Sequence, residues 1–362
     1  MKIYIIDLLG EKYHSNFDLS ISKCIKRENK TFIGSKDQLK YFINSGIDST
    51  YIIEPLKKGI FNKKISGLIN IYKVNKKVGR DSIKVITGFE NVSLALYSFI
   101  DRAFLKQSYL FIHNNLSGLN KKWKINLLKS VFKKSLGVFF LDKSILEKFL
   151  YDYPEFNNYR RKCFYIPHPI ENNDNISSKK TNQNKLSFIG RFADDKGAHL
   201  FLNVLSKLPQ NIKKNIKIIG QVDGHIKERF FSLFENIEVI DNFISPDQYE
   251  EAFRNSKFTF LLHNPSKFHY RTSGILYDSI RLGTPVICSN YYVYTTLFNE
   301  FKPIGLLLNE YCESELENLI KKAYNIAVDD KEYQAFLANI DKLKKYHSIE
   351  NVSKILNSIV GD

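Results

Sequence analysis

At 362 residues the chain exceeds one ordinary domain, and a hydrophobic fraction of 43%, with 28 Phe and 21 Tyr, can fill two cores. Four widely spaced cysteines without a CxxC pair argue against a disulfide scaffold or structural zinc and fit reduced cytosolic thiols. The net charge of +16 lies entirely in residues 1–170, a bias that suits a polyanionic partner: nucleic acid, an anionic membrane surface or phosphate-bearing substrates.

The opening MKIYIIDLLG breaks at Gly10 and reads as a first strand, not a signal peptide. No apolar run is long enough to span a membrane. Short β-branched runs at 2–8, 30–34, 51–54, 83–87, 108–113 and 137–141 predict buried parallel strands. Amphipathic stretches near 15–27, 36–45, 62–77, 91–104, 121–135 and 143–151 predict the helices between them. After FYIPHPI the polar stretch ENNDNISSKKTNQN reads as a linker, residues 171–185. The alternation then restarts, with strands at 186–190, 216–220, 237–240, 258–262 and 285–289. Helices are expected from about 196, near 226–234, at 246–255, from about 273, and at 313–327 and 330–345. The tail HSIENVSKILNSIV is one more amphipathic helix. Strand–helix alternation of this kind predicts an α/β chain of two Rossmann-like, doubly wound parallel-sheet domains, 1–170 and 186–345, facing a cleft at the carboxyl ends of their strands.

Two segments carry chemistry. In FIGRFADDKG, Gly190 allows a sharp turn off a strand, and Arg191 and Lys196 would project together as a clamp for a diphosphate. In HYRTSGILYDSIRLGTPVICS, a turn puts Thr272, Ser273 and Gly274 at a helix N-terminus, where amide groups and the dipole favour an anion. Arg271 adds charge beside it, and Asp278, one turn on, is placed to accept from ribose hydroxyls.

These strings resemble known motifs. The GRxxxxKG pattern is similar to the donor-phosphate motif of retaining family-4 (group 1) glycosyltransferases. The Arg-x-Ser-Gly helix before Gly-Thr-Pro-Val resembles the acidic-motif helix of GT-B enzymes, closest to the bacterial surface-polysaccharide branch. Asp278 falls where that motif has its second glutamate, while Tyr270 stands where the first is expected. Residues 237–266 resemble the base-contacting loop and following helix, which implies a nucleobase near Phe243 and Ile244. KCFYIPHPI resembles the strand that ends the first domain. LFIHNN resembles a strand ending in a His that faces the donor sugar, which implies that His113 stabilises developing charge or binds acceptor. The loop after the first strand keeps a single glycine, Gly10, where the family often shows two; Gly10 and Tyr270 are candidate sugar contacts.

The resemblance implies sugar transfer from a nucleoside diphosphate sugar to a glycan or lipid-linked glycan acceptor in O-antigen or capsule synthesis. It implies a retaining outcome with no cofactor and no metal, because Arg191, Lys196 and the helix N-terminus would stabilise the leaving diphosphate. Residues 1–170 would then bind acceptor, residues 186–345 the nucleotide sugar, and the 346–362 helix would pack back on the first domain. NKKWKINLLKSVFKKSL reads by itself as a core-facing helix with a solvated basic edge. Together with the lysines of 63–80, its Lys121, Lys122, Trp123 and Lys124 give the whole domain an expected contact with the anionic inner face of the cytoplasmic membrane. Nothing resembles a nucleic-acid module. The rival readings are a non-hydrolysing nucleotide-sugar 2-epimerase, which needs further acid–base groups, and a catalytically inactive scaffold that binds polyanions.

Overall fold

The computed structural model describes residues 2–11, 14–116, 118–119, 121–171, 184–233, 237–242, 244–266 and 268–361. Most of the expected linker therefore lies outside the described residues, as does Phe243. The chain divides into two compact units, residues 1–171 with 347–362, and residues 172–346.

In the first unit seven parallel strands, β1 (Ile3–Asp7), β2 (Lys30–Gly34), β3 (Asp48–Tyr51), β4 (Ile83–Gly88), β5 (Ser108–Ile112), β6 (Gly137–Phe140) and β7 (Cys163–Tyr165), form a sheet of order β3-β2-β1-β4-β5-β6-β7. In the second, β8 (Lys185–Ile189), β9 (Ile216–Ile219), β10 (Glu238–Ile240), β11 (Ser256–Leu261), β12 (Val286–Cys288) and β13 (Gly305–Leu307) form a parallel sheet of order β10-β9-β8-β11-β12-β13. Each order reverses once, at β1/β4 and at β8/β11, as in the doubly wound sheets expected from the sequence. The central strands β4, β6 and β11 are buried along their whole length, with apolar side chains on both faces.

Three local expectations need correction. The strand expected at 51–54 lies three residues earlier: edge strand β3 is DSTY, mostly exposed, and carries no apolar signal. Its apolar neighbours Ile52 and Ile53 instead fold over the sheet, both donating backbone N–H groups to the Gly34 carbonyl. The helix expected over 36–45 is α-helical only over Lys36–Leu39 and tightens to a 3₁₀ turn at Lys40–Phe42. Strand β13 and the helix Tyr292–Phe301 before it escaped the pattern reading. One is only three residues long, and the other is rich in β-branched and aromatic residues that favour strands.

The last helix, Ile349–Val360, completes the core of the first unit. Val352, Leu356 and Val360 pack with Ile3, Phe17, Phe32 and Phe111. Asn357 closes the helix Ser15–Cys24, its amide donating to the Cys24 carbonyl (2.8 Å) while its oxygen accepts from the Lys26 backbone (3.2 Å). Ile170 pairs with Ser348 in a parallel bridge and donates to the His347 carbonyl (2.9 Å), so the chain leaves and re-enters this unit at adjacent points. Leu356→Ala should cost about 2–5 kcal/mol in urea unfolding. The exposed Ser358→Ala should stay within about 0.5 kcal/mol.

Candidate functional site

In the second unit the chain turns off β8 at Gly190, whose φ of +99° suits glycine, and a Cβ there would come within 2.7 Å of Ile275. The turn Asp194–Lys196 follows and ends at the helix Ala198–Lys207. Lys196 points inward: its ammonium lies 3.1 Å from His263 Nε2, and His263 Nδ1 lies 2.6 Å from the Tyr294 hydroxyl. An ammonium only donates, so Nε2 must accept, which leaves the proton on Nδ1 facing Tyr294. Burial first, then the charges of Lys196 and Arg271, hold the His263 pKa well below the ordinary imidazole range, so the ring stays neutral. Burial also lowers the Lys196 pKa, opposed by Asp195 and reinforced by Arg271 and Arg191.

Arg271 converges on the same place. Its guanidinium carbon and the Lys196 ammonium each lie 5.7 Å from the centre of the Phe268 ring. The turn that presents Arg271 is held by tyrosines. Tyr291 donates to the Arg271 carbonyl (2.9 Å) and accepts from its backbone N–H (3.2 Å), and Tyr292 accepts from the Tyr270 N–H (3.1 Å). Tyr270 has φ +51°, an uncommon conformation for a residue with a Cβ, and these bonds help to fix it. Ser273 then caps the helix Gly274–Leu282 without a side-chain cap bond. Its hydroxyl faces Tyr294, the buried Arg271 Nε has no hydrogen-bond partner among the described residues, and Gly274 faces open space. Thr272 lies between them, partly buried. Lys196, Arg271 and the Ser273–Gly274 helix start therefore form an anion-receptive set with unspent donors.

Three expected members stand apart from that ring. Arg191 is exposed and forms a bidentate pair with Asp223, both contacts 2.7 Å, instead of joining Lys196 at Phe268. Asp278 accepts from Tyr249 (2.9 Å) and lies 3.5 Å from the Arg281 guanidinium. Burial raises its pKa against the pull of Arg281 and Tyr249. Ile244 packs against the apolar cluster of Ile189, Ile219, Ala252, Phe253 and Leu282. His263, Phe268, Tyr291, Tyr292 and Tyr294 were missed in the sequence, although HNP follows β11 and NYYVY follows β12, both at carboxyl ends of strands.

The first unit has its own cavity of about 310 Å³ at the carboxyl ends of β1, β4 and β5, with Glu11, His14, Lys63, Glu90, His113 and Lys124 on its wall. Gly10, φ +67°, lies between two lining residues, Leu9 and Glu11. His113 Nε2 is buried without a hydrogen bond among the described residues, and its ring stacks on His14 (5.1 Å) and meets the edge of Phe17 (4.5 Å). Burial, then the charges of His14 and His168, depress the His113 pKa far below the ordinary value. His14 behaves oppositely. Burial opposes its charge, but bonding and charge from Asp7, with the charges of Asp18 and Glu11, push it up to about 9.

Behind His14 lie two fully buried carboxyls. Asp7 is 3.6 Å from His14 Nδ1 and accepts from the Leu9 N–H (2.8 Å) and the Gln38 amide (2.6 Å). Burial, then the Asp7 charge, hold Asp18 well above the usual carboxylate range. A side chain at Gly88 would strike Asp7 at 2.2 Å, so this cluster requires the glycine.

Lys124 belongs to the cavity wall and bonds the Gly118 carbonyl (3.0 Å), whereas Lys121, Lys122 and Trp123 are exposed. The larger apolar surface lies on the helix Ile60–Lys77. Ile60 is 76% and Phe61 80% exposed, and Ile65, Ile69 and Tyr72 continue the stripe. Lys64 lies 5.7 Å from the Trp123 ring, which joins the two helices into one face.

Because the folded pKa of His14 exceeds its unfolded value, its contribution is complete below about pH 6.5 and is lost as pH rises through about 9. Urea titrations of the native chain and His14→Gln should differ by on the order of 2–3 kcal/mol at about pH 6 and converge near pH 10.

Residues 169–342 match the family of glycosyl transferases group 1. No curated protein matches the chain. Among solved structures, Anabaena HepE in complex with UDP has TM-score 0.70 at 12% identity, covering 99% of each chain. The E. coli trehalose-6-phosphate structure bound with UDP-2-fluoro glucose has TM-score 0.71 at 10% identity, again covering 99% of each. The UDP-forming trehalose-phosphate synthase of Burkholderia xenovorans has TM-score 0.70 at 10% identity with the same coverage. These likenesses show the GT-B fold, and the group 1 match over residues 169–342 makes the chain a glycosyltransferase.

Proposed function

We propose that this glycosyltransferase takes a sugar from a nucleoside diphosphate sugar and passes it to a glycan or lipid-linked glycan acceptor in surface polysaccharide synthesis, with retention of configuration and without a metal. The observation that carries the reading is the convergence of Lys196 and Arg271 on Phe268, beside the uncapped helix start at Ser273. Two cations, a helix N-terminus and a buried guanidinium Nε still lacking a bond among the described residues suit a diphosphate. UDP in HepE and UDP-2-fluoro glucose in the E. coli structure support a uridine nucleotide as donor.

In this reading Lys196, Arg271 and the amides of the Gly274–Leu282 helix stabilise negative charge as the sugar–phosphate bond breaks. Neutral His263 aims the ammonium without competing for it, since a charged imidazole would repel Lys196. Arg191 reaches the phosphates only by exchanging its Asp223 partner, and Asp278 reaches ribose with the oxygen not used by Tyr249. Ile244, with Phe243, flanks the base. In the first unit the cavity receives acceptor or donor sugar, and neutral His113 offers Nε2 to a hydroxyl. The Ile60–Lys77 stripe, with Lys121, Lys122 and Trp123, rests on the anionic inner leaflet and makes the enzyme peripheral to the cytoplasmic membrane. The sequence-level rivals gain no specific support from this geometry.

Lys196→Ala and Arg271→Ala should each lower kcat/KM for the nucleotide sugar about 10²–10³-fold and weaken UDP in calorimetric titration. Native values for both would sink the donor site. Phe61→Glu with Ile65→Glu should abolish co-sedimentation with phosphatidylglycerol vesicles, and native binding should fall as salt rises. Salt-independent absence of native binding would refute the membrane contact.

A further inference from the structure

A second cluster lies at the same end of the β8–β11 sheet but shares no residue with the Lys196–Arg271 set. Asp194 sits in the turn after β8, His199 near the start of the helix Ala198–Lys207, and His225 near the start of the helix Gly224–Leu233 after β9. Strands β8 and β9 are parallel neighbours paired Ile189 to Ile219, so these segments emerge side by side. Asp194 Oδ1 lies 2.8 Å from His199 Nε2 and Oδ2 lies 3.1 Å from His225 Nε2, with the two rings 6.4 Å apart. One ligand atom from each residue falls within 4.8 Å of the others, and this is the one such trio among the described residues.

We propose that Asp194, His199 and His225 form a binding site for a divalent cation of the zinc class. Donors about 2.0–2.1 Å from a tetrahedral ion lie roughly 3.3 Å from one another, so both carboxylate–imidazole separations are already close to what a zinc ion requires. Two imidazole nitrogens with one carboxylate select zinc, cobalt or nickel over magnesium and calcium, which prefer all-oxygen sets. Each imidazole binds through its Nε2 lone pair and gives up any proton there to water. All three side chains reach solvent, so the fourth position is open to water.

The site is preorganised by a separate contact, because the bidentate Arg191–Asp223 pair ties the same two loops together. The ion would replace hydrogen bonds by coordinate bonds and fix the turn that ends in Lys196 to the helix after β9. The trio has no ligand pair at helical spacing, being assembled from two helices and a turn on adjacent strands. It is separate from the diphosphate receptor, so it leaves metal-free transfer intact and does not depend on the donor assignment.

The test is calorimetric titration of the intact, chelator-treated chain with zinc chloride at a fixed pH of about 7.5, since metal affinity depends on pH. The native chain should take up one ion with a concentration-dependent rise in Tm. Asp194→Asn, His199→Gln and His225→Gln keep the size of each side chain, and circular dichroism verifies their fold. Each should weaken zinc at least about tenfold, as expected when one of three ligands is lost. Failure of the native chain to bind one ion, or native affinity in any of the three variants, overturns the site.

Discussion

Every strand in both sheets runs parallel to its neighbours, and the placement of the chemistry follows from that constraint. Parallel pairing sends each crossover back to the same edge, so the carboxyl ends of all strands in a unit deliver their loops side by side. In the second unit this collects the turn after β8, the HNP segment after β11 and the tyrosines after β12 around Lys196. In the first it collects Glu11, Glu90 and His113, which are remote in sequence, around one cavity. In both sheets the strands flanking the point of reversal supply central residues of these clusters, where departing crossovers leave room.

Both units use burial to the same electrostatic end. A cation is set against an imidazole held neutral: His14 against His113 in one, Lys196 against His263 in the other. Desolvation alone would neutralise both partners, and nearby carboxylates decide which keeps its charge. Asp7 and Asp18 do so for His14, at the cost of burying two acids together, which raises the Asp18 pKa. At Lys196 the Asp195 charge opposes burial and the neighbouring cations Arg271 and Arg191, which together lower its pKa.

The fold was legible because parallel sheets write themselves as apolar runs between amphipathic helices, and edge strand β3 was misplaced because it is wet and lacks that mark. The Ser273–Gly274 turn and Arg271 were legible because a turn and helix start are local. Lys196 was found by spacing, but not its partners. His263 ends the run FTFLLH and reads as a strand terminus, and only tertiary packing brings Tyr294 to its Nδ1. The same applies to Asp7, His14, Asp18 and Gln38, whose contacts depend on how the Ser15–Cys24 helix settles on β1. Arg191 was legible as a cation near the strand end but not as a partner of Asp223, a residue from another crossover.

The helix Ile349–Val360 supplies part of the first unit's core from the far end of the chain. On the ribosome, residues 1–171 emerge with Phe17, Ile21 and Cys24 still lacking the surface that covers them. The whole second unit is made before that surface appears. The unit synthesised first is thus the one completed last, and its apolar helix face stays exposed throughout elongation of the rest. Closing it requires a contact between residues more than three hundred positions apart, such as Asn357 with Cys24, a long-range pairing of the kind whose loop closure must be met before it stabilises anything.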